Sequence, residues 1–380
     1  MITGVPKLST PRGFWTFAEL ARDPFDLLAR AGNEDWLILS GVRSEEIVSA
    51  LLCMEGRVQT IFLGDVEMPR AYAWTGGTSW VFLTSGTTGE PRQIPKTLKS
   101  ISRPLSQNAT PFGTWSFLTD ITRMAGIQVA IEALGREEDL SIPDPGMTVL
   151  EKLSFMQQHN VTRISATPSQ YRQLLGHQEF SDLELSQVTL GGEPADQKLL
   201  NSLQVKFPSS RLTHVYATTE TGPIMAVSDG KSGFPADQLT KPGNRINISP
   251  AGEIGVTIDT DVDIHWTGDI VELIGVRYQF VGRSTDFINV GGAKVSPMSV
   301  ERVIMGHSNV KDCLVKPRAS AMLGQLVAAD IVVLRKDNLI VSELRALCRK
   351  HLPRFAVPRF FNIVDELPQS KSGKKVRREI

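Results

Sequence analysis

Strand-like and helix-like stretches alternate from Trp36 to Tyr216, and this alternation limits the fold more than any other feature of the chain. Trp36–Leu39 reads as a short strand. A helix opened by Ser44 follows over Glu45–Met54, with Ile47, Val48, Leu51 and Leu52 on one side; Gly56 stops it before a strand at Val58–Leu63. Trp80–Leu83 predicts a further strand. The rhythm then returns with a helix over Val149–His159, a strand at Arg163–Ala166 and a helix capped by Ser169 that runs to Leu175. After these come a strand at Gln187–Leu190, a helix over Pro194–Leu203 and a strand at Arg211–Tyr216. Repetition of this kind favours parallel strands with helices on their faces. Residues 1–35 read as an irregular lead-in with an amphipathic stretch at Phe17–Ala31.

The texture changes twice beyond Tyr216. From about Gly243 to Phe280, short strands with Gly and Asp turns predict a β-rich subdomain. After Arg283 come a helix at Pro297–Met305, strands at Val310–Lys316 and Ala328–Val333, a helix at Val341–Leu352 and a basic tail. The domain boundary is expected near Thr285, giving a large α/β domain with mixed or parallel sheets over 1–284 and a small α+β domain over 285–380. A chain of 380 residues agrees with two or three domains at about 150 residues each, with a core large enough to need no disulfide or metal.

Charge and cysteine usage narrow the class. With 41 Lys+Arg against 41 Asp+Glu, nothing draws the whole chain toward nucleic acid or an anionic membrane. Cys53, Cys313 and Cys348 are odd in number, far apart and outside any zinc spacing, so they read as reduced thiols of a cytoplasmic protein. The first residues lack an apolar signal core, and no run approaches the roughly 18 apolar residues of a membrane span. Secreted, membrane-spanning and disordered classes are therefore not expected.

The most informative short run is Val81–Pro91, in which a strand leads directly into Thr-Ser-Gly-Thr-Thr-Gly-Glu-Pro. Ser85, Thr87 and Thr88 supply hydroxyls, and Gly86 and Gly89 allow backbone N–H groups to turn inward around an anion. The run lacks the spacing of a P-loop or of a Rossmann glycine fingerprint. By composition alone it fits a flexible turn equally well.

Five further motifs follow in order. They are Gly191-Gly192-Glu193, the run Tyr-Ala-Thr-Thr-Glu-Thr-Gly over Tyr216–Gly222, and Trp-Thr-Gly-Asp-Ile over Trp266–Ile270. Gly-Arg-Ser-Thr-Asp over Gly282–Asp286 comes next, with Gly291, Gly292 and Glu301 behind it. The last is Pro-Gln-Ser-Lys-Ser-Gly-Lys over Pro368–Lys374, with Arg377 beyond. Together with Thr84–Pro91 they resemble, in the family's own order, the signatures of the adenylate-forming superfamily. That superfamily comprises acyl- and aryl-CoA synthetases, peptide-synthetase adenylation domains and luciferases.

The resemblance implies attack of a carboxylate on the α-phosphate of ATP, with pyrophosphate released. Thr84 and Ser85–Gly89 would wrap the β- and γ-phosphates. Thr219 would donate to the α-phosphate, and Glu220 would hold Mg²⁺; without the surrounding motif Glu220 reads as a solvated acid. Tyr216, with Ala217 and Thr218 behind it, would stack on adenine beside the Gly191–Glu193 backbone. Asp269 would accept the ribose hydroxyls and Arg283 would reach ribose or phosphate. Lys374 would carry the first half-reaction, since a long, mobile ammonium can bridge carboxylate and α-phosphate and then withdraw; Lys371 and Lys375 fit that register less well. The small domain would be a mobile lid pivoting near Thr285 or Asp286, and Asn289–Lys294, with Gly291 and Gly292, would swing in to line a pantetheine tunnel.

Three features depart from the family pattern. The loop begins at residue 84, with essentially one βαβ unit ahead of it, so the expectation is a compact enzyme, the alternative being a trimmed front end compensated by a homodimer. Arg92 stands where many members carry Lys. Arg123 stands where the acyl-pocket segment carries His, and it reads either as a surface charge or as a residue that binds a polar substrate group or shapes the thiol tunnel. Gly126, His214, Gly222, Pro223 and Ile224 are expected to wall the acid pocket, His214 reading equally well as a hydrogen-bonded core histidine, and the apolar Pro223, Ile224 and Met225 suit a ring or short chain. The expected activity is an AMP-forming acid–thiol ligase acting on an aryl or small acyl acid, with ATP, Mg²⁺ and CoA. The alternatives are loading of a free-standing carrier protein, transfer to an amine, a luciferase-like oxidase and a non-catalytic nucleotide-binding homologue.

Overall fold

A computed structural model describes residues 5–32, 34–66, 77–84, 92–102, 113–258, 263–335, 337, 339–368 and 375–377. Two units emerge from the packing: Met1–Gly192 with Lys206–Ser228, and Glu193–Val205 with Asp229–Ile380.

The first unit holds two sheets. In the smaller, Trp36–Leu39, Thr60–Leu63 and Ser79–Thr84 run parallel, and Arg92–Lys96 returns antiparallel to the third of them. The helix Ser44–Cys53 crosses between its first two strands as the sequence requires, burying Ile47, Val48, Ala50 and Leu51. Arg43, rather than Ser44, takes the N-cap position, because the Glu46 carboxylate reaches back to the Arg43 N–H at 3.2 Å. The larger sheet runs, in spatial order, Gly222–Val227, Arg211–Thr218, Gln187–Gly191, Arg163–Ala166, Thr114–Phe117, Asp139–Ser141, Lys7–Thr10 and Gly13–Thr16. Its interior strands are parallel, and an antiparallel hairpin closes each edge.

Several sequence expectations need correction here. Over residues 5–32 the lead-in is not irregular: Lys7–Thr10 pairs in parallel with Asp139–Ser141 and supplies the sheet's last two strands with its hairpin partner. The amphipathic stretch forms two short helices, Phe17–Leu20 and Leu27–Ala31. Leu20 and Leu27 are fully buried in the core that includes Ile47 and Trp80, each contributing about 1.5–3 kcal/mol. The helix at Pro168–Leu174 is capped by Thr167, whose hydroxyl accepts from the Gln170 N–H at 3.2 Å while Pro168 sits at the first helical position. Helix Gln197–Lys206 begins three residues later than its pattern suggests, where the Asp196 carboxylate accepts the Leu199 N–H at 2.9 Å.

The second unit carries the β-rich sheet, ordered Phe234–Pro235, Arg277–Arg283, Ile264–Ile274, Glu253–Thr257 and Ile246–Ile248, all antiparallel. A further sheet follows in the order Ala293–Val295, Ile288–Val290, Gly324–Val333 and Val310–Ser320, with Phe360–Ile363 beside Gly324–Val333. Helices Pro297–Met305 and Ile340–His351 bury Val300, Ile304, Leu344 and Cys348 in its core. The α/β class with a β-rich subdomain and an α+β C-terminal region is thus the observed one.

Candidate active site

Open parallel sheets bind ligands at the carboxyl ends of their strands, and the larger sheet places motif residues there. Gly191 ends Gln187–Gly191 and pairs with Val215; Gly192 follows at φ +81°, a conformation that favours glycine. Beside it, Arg211–Thr218 carries His214 and Tyr216 two residues apart on one face, opposite Val227 and Met225 of the next strand. A bulge between Tyr216 and Ala217 shifts the register, so that Ala217 lies opposite Pro223 and Thr218 opposite Gly222.

The turn that joins those two strands contains Thr219 and Glu220. Its geometry is fixed internally: the Thr218 and Thr221 hydroxyls are 2.9 Å apart, and the Thr221 N–H donates to the Thr218 hydroxyl at 3.1 Å. Gly222 sits at φ +75°, and a Cβ there would lie 2.8 Å from the Ser100 carbonyl oxygen. Only glycine allows so close an approach. The Lys96 ammonium donates to the Glu220 backbone carbonyl. These contacts bring the segment from Lys96 to Ser100 against the turn from Glu220 to Gly222 within one unit.

Thr84 ends the strand Ser79–Thr84 and pairs with Arg92, the two residues that flank the hydroxyl-rich run. Ser85, Gly86, Thr87, Thr88 and Gly89 themselves lie outside the described residues. Arg123 stands just before the helix Met124–Gly135, and its Nη1 donates to the Leu83 carbonyl at 2.8 Å. The Asp120 carboxylate accepts the Thr122 N–H and hydroxyl, both at 2.8 Å, and the Arg123 N–H donates to the Asp120 carbonyl at 3.0 Å. Gly126 meets this turn directly: a Cβ would fall 2.7 Å from Ile121 Cα.

In the second unit, Asp269 and Arg283 face each other across paired strands, with Arg283 Nε donating to the Asp269 carboxylate at 3.1 Å. The preceding Gly268 adopts φ +78°, its N–H bound by Glu253 at 2.9 Å, and the Asp269 N–H donates to the Thr267 hydroxyl at 3.2 Å. Gly291 and Gly292, at φ +57° and +91°, form the tip of the hairpin Ile288–Val290 and Ala293–Val295. The Gly292 N–H donates to the Asn289 side chain at 3.0 Å.

Lys374 lies outside the described residues, but the chain just beyond it is fastened. The Lys375 N–H donates to the Glu193 carboxylate at 2.9 Å, while its ammonium pairs with Asp312 at 2.5 Å and reaches the Cys313 carbonyl at 2.9 Å. Arg377 forms a two-pronged pair with Glu301, with Nη2 to Oε2 at 2.9 Å, and donates to the Val315 carbonyl at 3.0 Å. Burial alone would lower the Arg377 pKa; the adjacent Glu301 carboxylate outweighs it and raises the pKa. The sequence offers no motif or spacing signal for Lys96, nor for Ser100, Asp120, Glu253 or Asp312. Among the described residues, no group of three or more His, Cys, Asp and Glu is arranged to hold a metal, and no helix is long and apolar enough to cross a membrane.

Two sheets with parallel strands, followed by a β-rich sheet and a small α+β region, agree with a class of nucleotide-dependent enzyme. The AMP-binding enzyme family model matches residues 68–263, and that of the AMP-binding enzyme C-terminal domain matches residues 299–374. The chain belongs to the AMP-binding enzyme family. It is 28% identical to a 2-succinylbenzoate–CoA ligase of Bacillus pumilus over 346 residues, covering 80% of this chain and 68% of the relative. A long-chain-fatty-acid–CoA ligase of Escherichia coli O157:H7 is 29% identical over 58% of this chain and 44% of that protein. The anthranilate CoA ligase AuaEII, solved in complex with anthranoyl-AMP, shares the fold with a TM-score of 0.75 at 16% identity, covering 97% of this chain and 92% of that one.

Proposed function

We propose that this protein is an AMP-forming acid–thiol ligase that activates an aryl or small acyl acid with ATP and passes the acyl group to CoA. The observation that carries the reading is the meeting of Lys96, on the strand leaving the phosphate loop, with Glu220, on the turn that would face the phosphates. The curated CoA ligases it resembles support the same chemistry.

In the first half-reaction a substrate carboxylate oxygen bonds to the α-phosphorus as the bond to pyrophosphate breaks. Ser85–Gly89 would hold the β- and γ-phosphates by hydroxyl and backbone donors, and Thr219 would donate to an α-phosphate oxygen as charge builds there. Lys374 would neutralise the approaching carboxylate and phosphate together. Asp269, kept oriented by Arg283, would accept the ribose hydroxyls, and Tyr216 would stack on the base. In the second half-reaction the thiol sulfur bonds to the acyl carbon, AMP departs with the mixed-anhydride oxygen, and the thiol proton is lost.

Mg²⁺ fits the donor set. Glu220 stands on the turn between Arg211–Thr218 and Gly222–Val227, and Mg²⁺ characteristically takes one or two carboxylates with phosphate oxygens and water completing its shell. Glu220 would hold it, and the ion would supply charge neutralisation on the phosphates. The small domain over 285–380 would move as a lid, with Thr285 or Asp286 at the pivot.

Acid-dependent ATP–pyrophosphate exchange tests the reading across 2-succinylbenzoate, benzoates, heteroaryl acids, short-chain acids and longer acids. Strong exchange with an aryl or short acid, abolished in Lys374→Ala, is expected. Adding CoA or a phosphopantetheinyl carrier protein in separate arms identifies the acceptor. Nucleotide binding without exchange for any acid would point instead to a non-catalytic homologue.

A further inference from the structure

We propose that Lys96 is a positioning residue for Mg·nucleotide binding, its ammonium fixing the Thr219–Glu220 turn against the outgoing strand of the phosphate-loop hairpin. The inference rests on the ligase reading and extends it to a residue outside every motif. The strands that flank the loop run, Ser79–Thr84 and Arg92–Lys96, and the strands that flank the turn belong to different sheets of the first unit, so no backbone ladder sets their spacing. Lys96 supplies a link. Across its own hairpin it pairs with Trp80, which is fully buried, so the register of the strand carrying Lys96 is fixed from below.

From that anchored position the ammonium donates to the Glu220 carbonyl, a charge-assisted bond about twice as strong as a neutral one. Holding this carbonyl fixes the peptide plane between Glu220 and Thr221, and with it the direction in which the Glu220 side chain leaves the chain. Two residues beyond Glu220, Gly222 makes a second close approach, to the Ser100 carbonyl on the short helix Leu98–Ile101 that follows Lys96. A carboxylate oriented before the nucleotide arrives pays no ordering cost when the metal-bound phosphates dock.

Calorimetric titration with α,β-methylene-ATP, which cannot be cleaved between the α- and β-phosphates, separates this role from catalysis. Titrations run at rising Mg²⁺ and in EDTA, alongside thermal unfolding. Lys96→Met is expected to weaken Mg²⁺-dependent affinity by about tenfold, to raise the Mg²⁺ concentration at half-effect, and to leave affinity in EDTA and the unfolding temperature near wild type. Lys96→Arg should restore most of the loss. Lys96→Gln, which keeps a donor without the charge, should fall between them and replaces the Met variant if that chain does not fold. An unchanged Mg²⁺ half-effect overturns the proposal, as does equal weakening with and without Mg²⁺. A wild-type protein that binds no nucleotide overturns the ligase reading itself, and the inference with it.

Discussion

Arg123 donates from Nη1 to the Leu83 carbonyl at 2.8 Å, so a residue at the head of one helix grips the strand end that leads into Thr84. A guanidinium bond to a carbonyl carries about 1.5–3 kcal/mol when buried and less at this exposed position. Arg123→Ala should therefore raise KM for ATP by a few-fold and leave the ranking of acids unchanged. Exchange kinetics against ATP and against a panel of acids decide it. A reordered acid panel with ordinary ATP kinetics would place Arg123 at the acid instead.

Gly126 was expected at the acid pocket, and its packing adds a constraint of a different kind. Its missing Cβ would fall 2.7 Å from Ile121 Cα and 2.8 Å from the Asp120 carbonyl oxygen, atoms of a turn that cannot yield without moving Arg123. Gly126→Ala should cost about 1–3 kcal/mol of stability by overpacking. Urea unfolding measures that loss directly. A variant as stable as wild type would show that the turn has room to shift.

The parallel strands were legible where they are short apolar runs bounded by turn residues, and Trp36–Leu39 is such a case. The edge hairpin Lys7–Thr10 and Gly13–Thr16 was not, since half its residues are polar and its pairing partner lies over 130 positions away. Helix Met124–Gly135 was also missed: its apolar residues surround almost the whole helix, which blurs the 3.6-residue stripe. In the first unit, motif spacing singled out Thr84 and Tyr216 as candidates but could not reveal Lys96. Its partner is a backbone carbonyl, and a carbonyl leaves no mark on composition.

Acid sensitivity should arise partly at Glu46. Burial pushes its pKa up, but the guanidinium of Arg30 at 2.5 Å and the N–H groups of Arg43 outweigh that and hold it below the ordinary 4.5. A carboxylate depressed in the folded state contributes stability that is fully present above pH 4.5 and is lost as pH falls through the folded value. Glu46→Gln should thus be less stable than wild type at pH 7, with the gap closing in strongly acidic solution. Urea midpoints at the two pH values provide the check; a gap that stays constant with pH would rule out this linkage.

Glu301 and Arg377 fasten the chain that follows Lys374, and their two-pronged pair is mostly shielded from solvent. Removing the charge from one partner leaves the other uncompensated, whereas Lys in place of Arg377 cannot span both carboxylate oxygens. Glu301→Gln and Arg377→Lys should each loosen the tail without disturbing the first unit, since Glu301 also binds the Val315 N–H at 2.8 Å within the C-terminal sheet. Faster tryptic cleavage after Lys375 would report the loosening. Pyrophosphate exchange should fall by about tenfold, while transfer from a synthetic acyl-adenylate to CoA persists, because only the first half-reaction is proposed to need Lys374 in place. Equal losses in both half-reactions would show instead that the pair merely stabilises the C-terminal sheet.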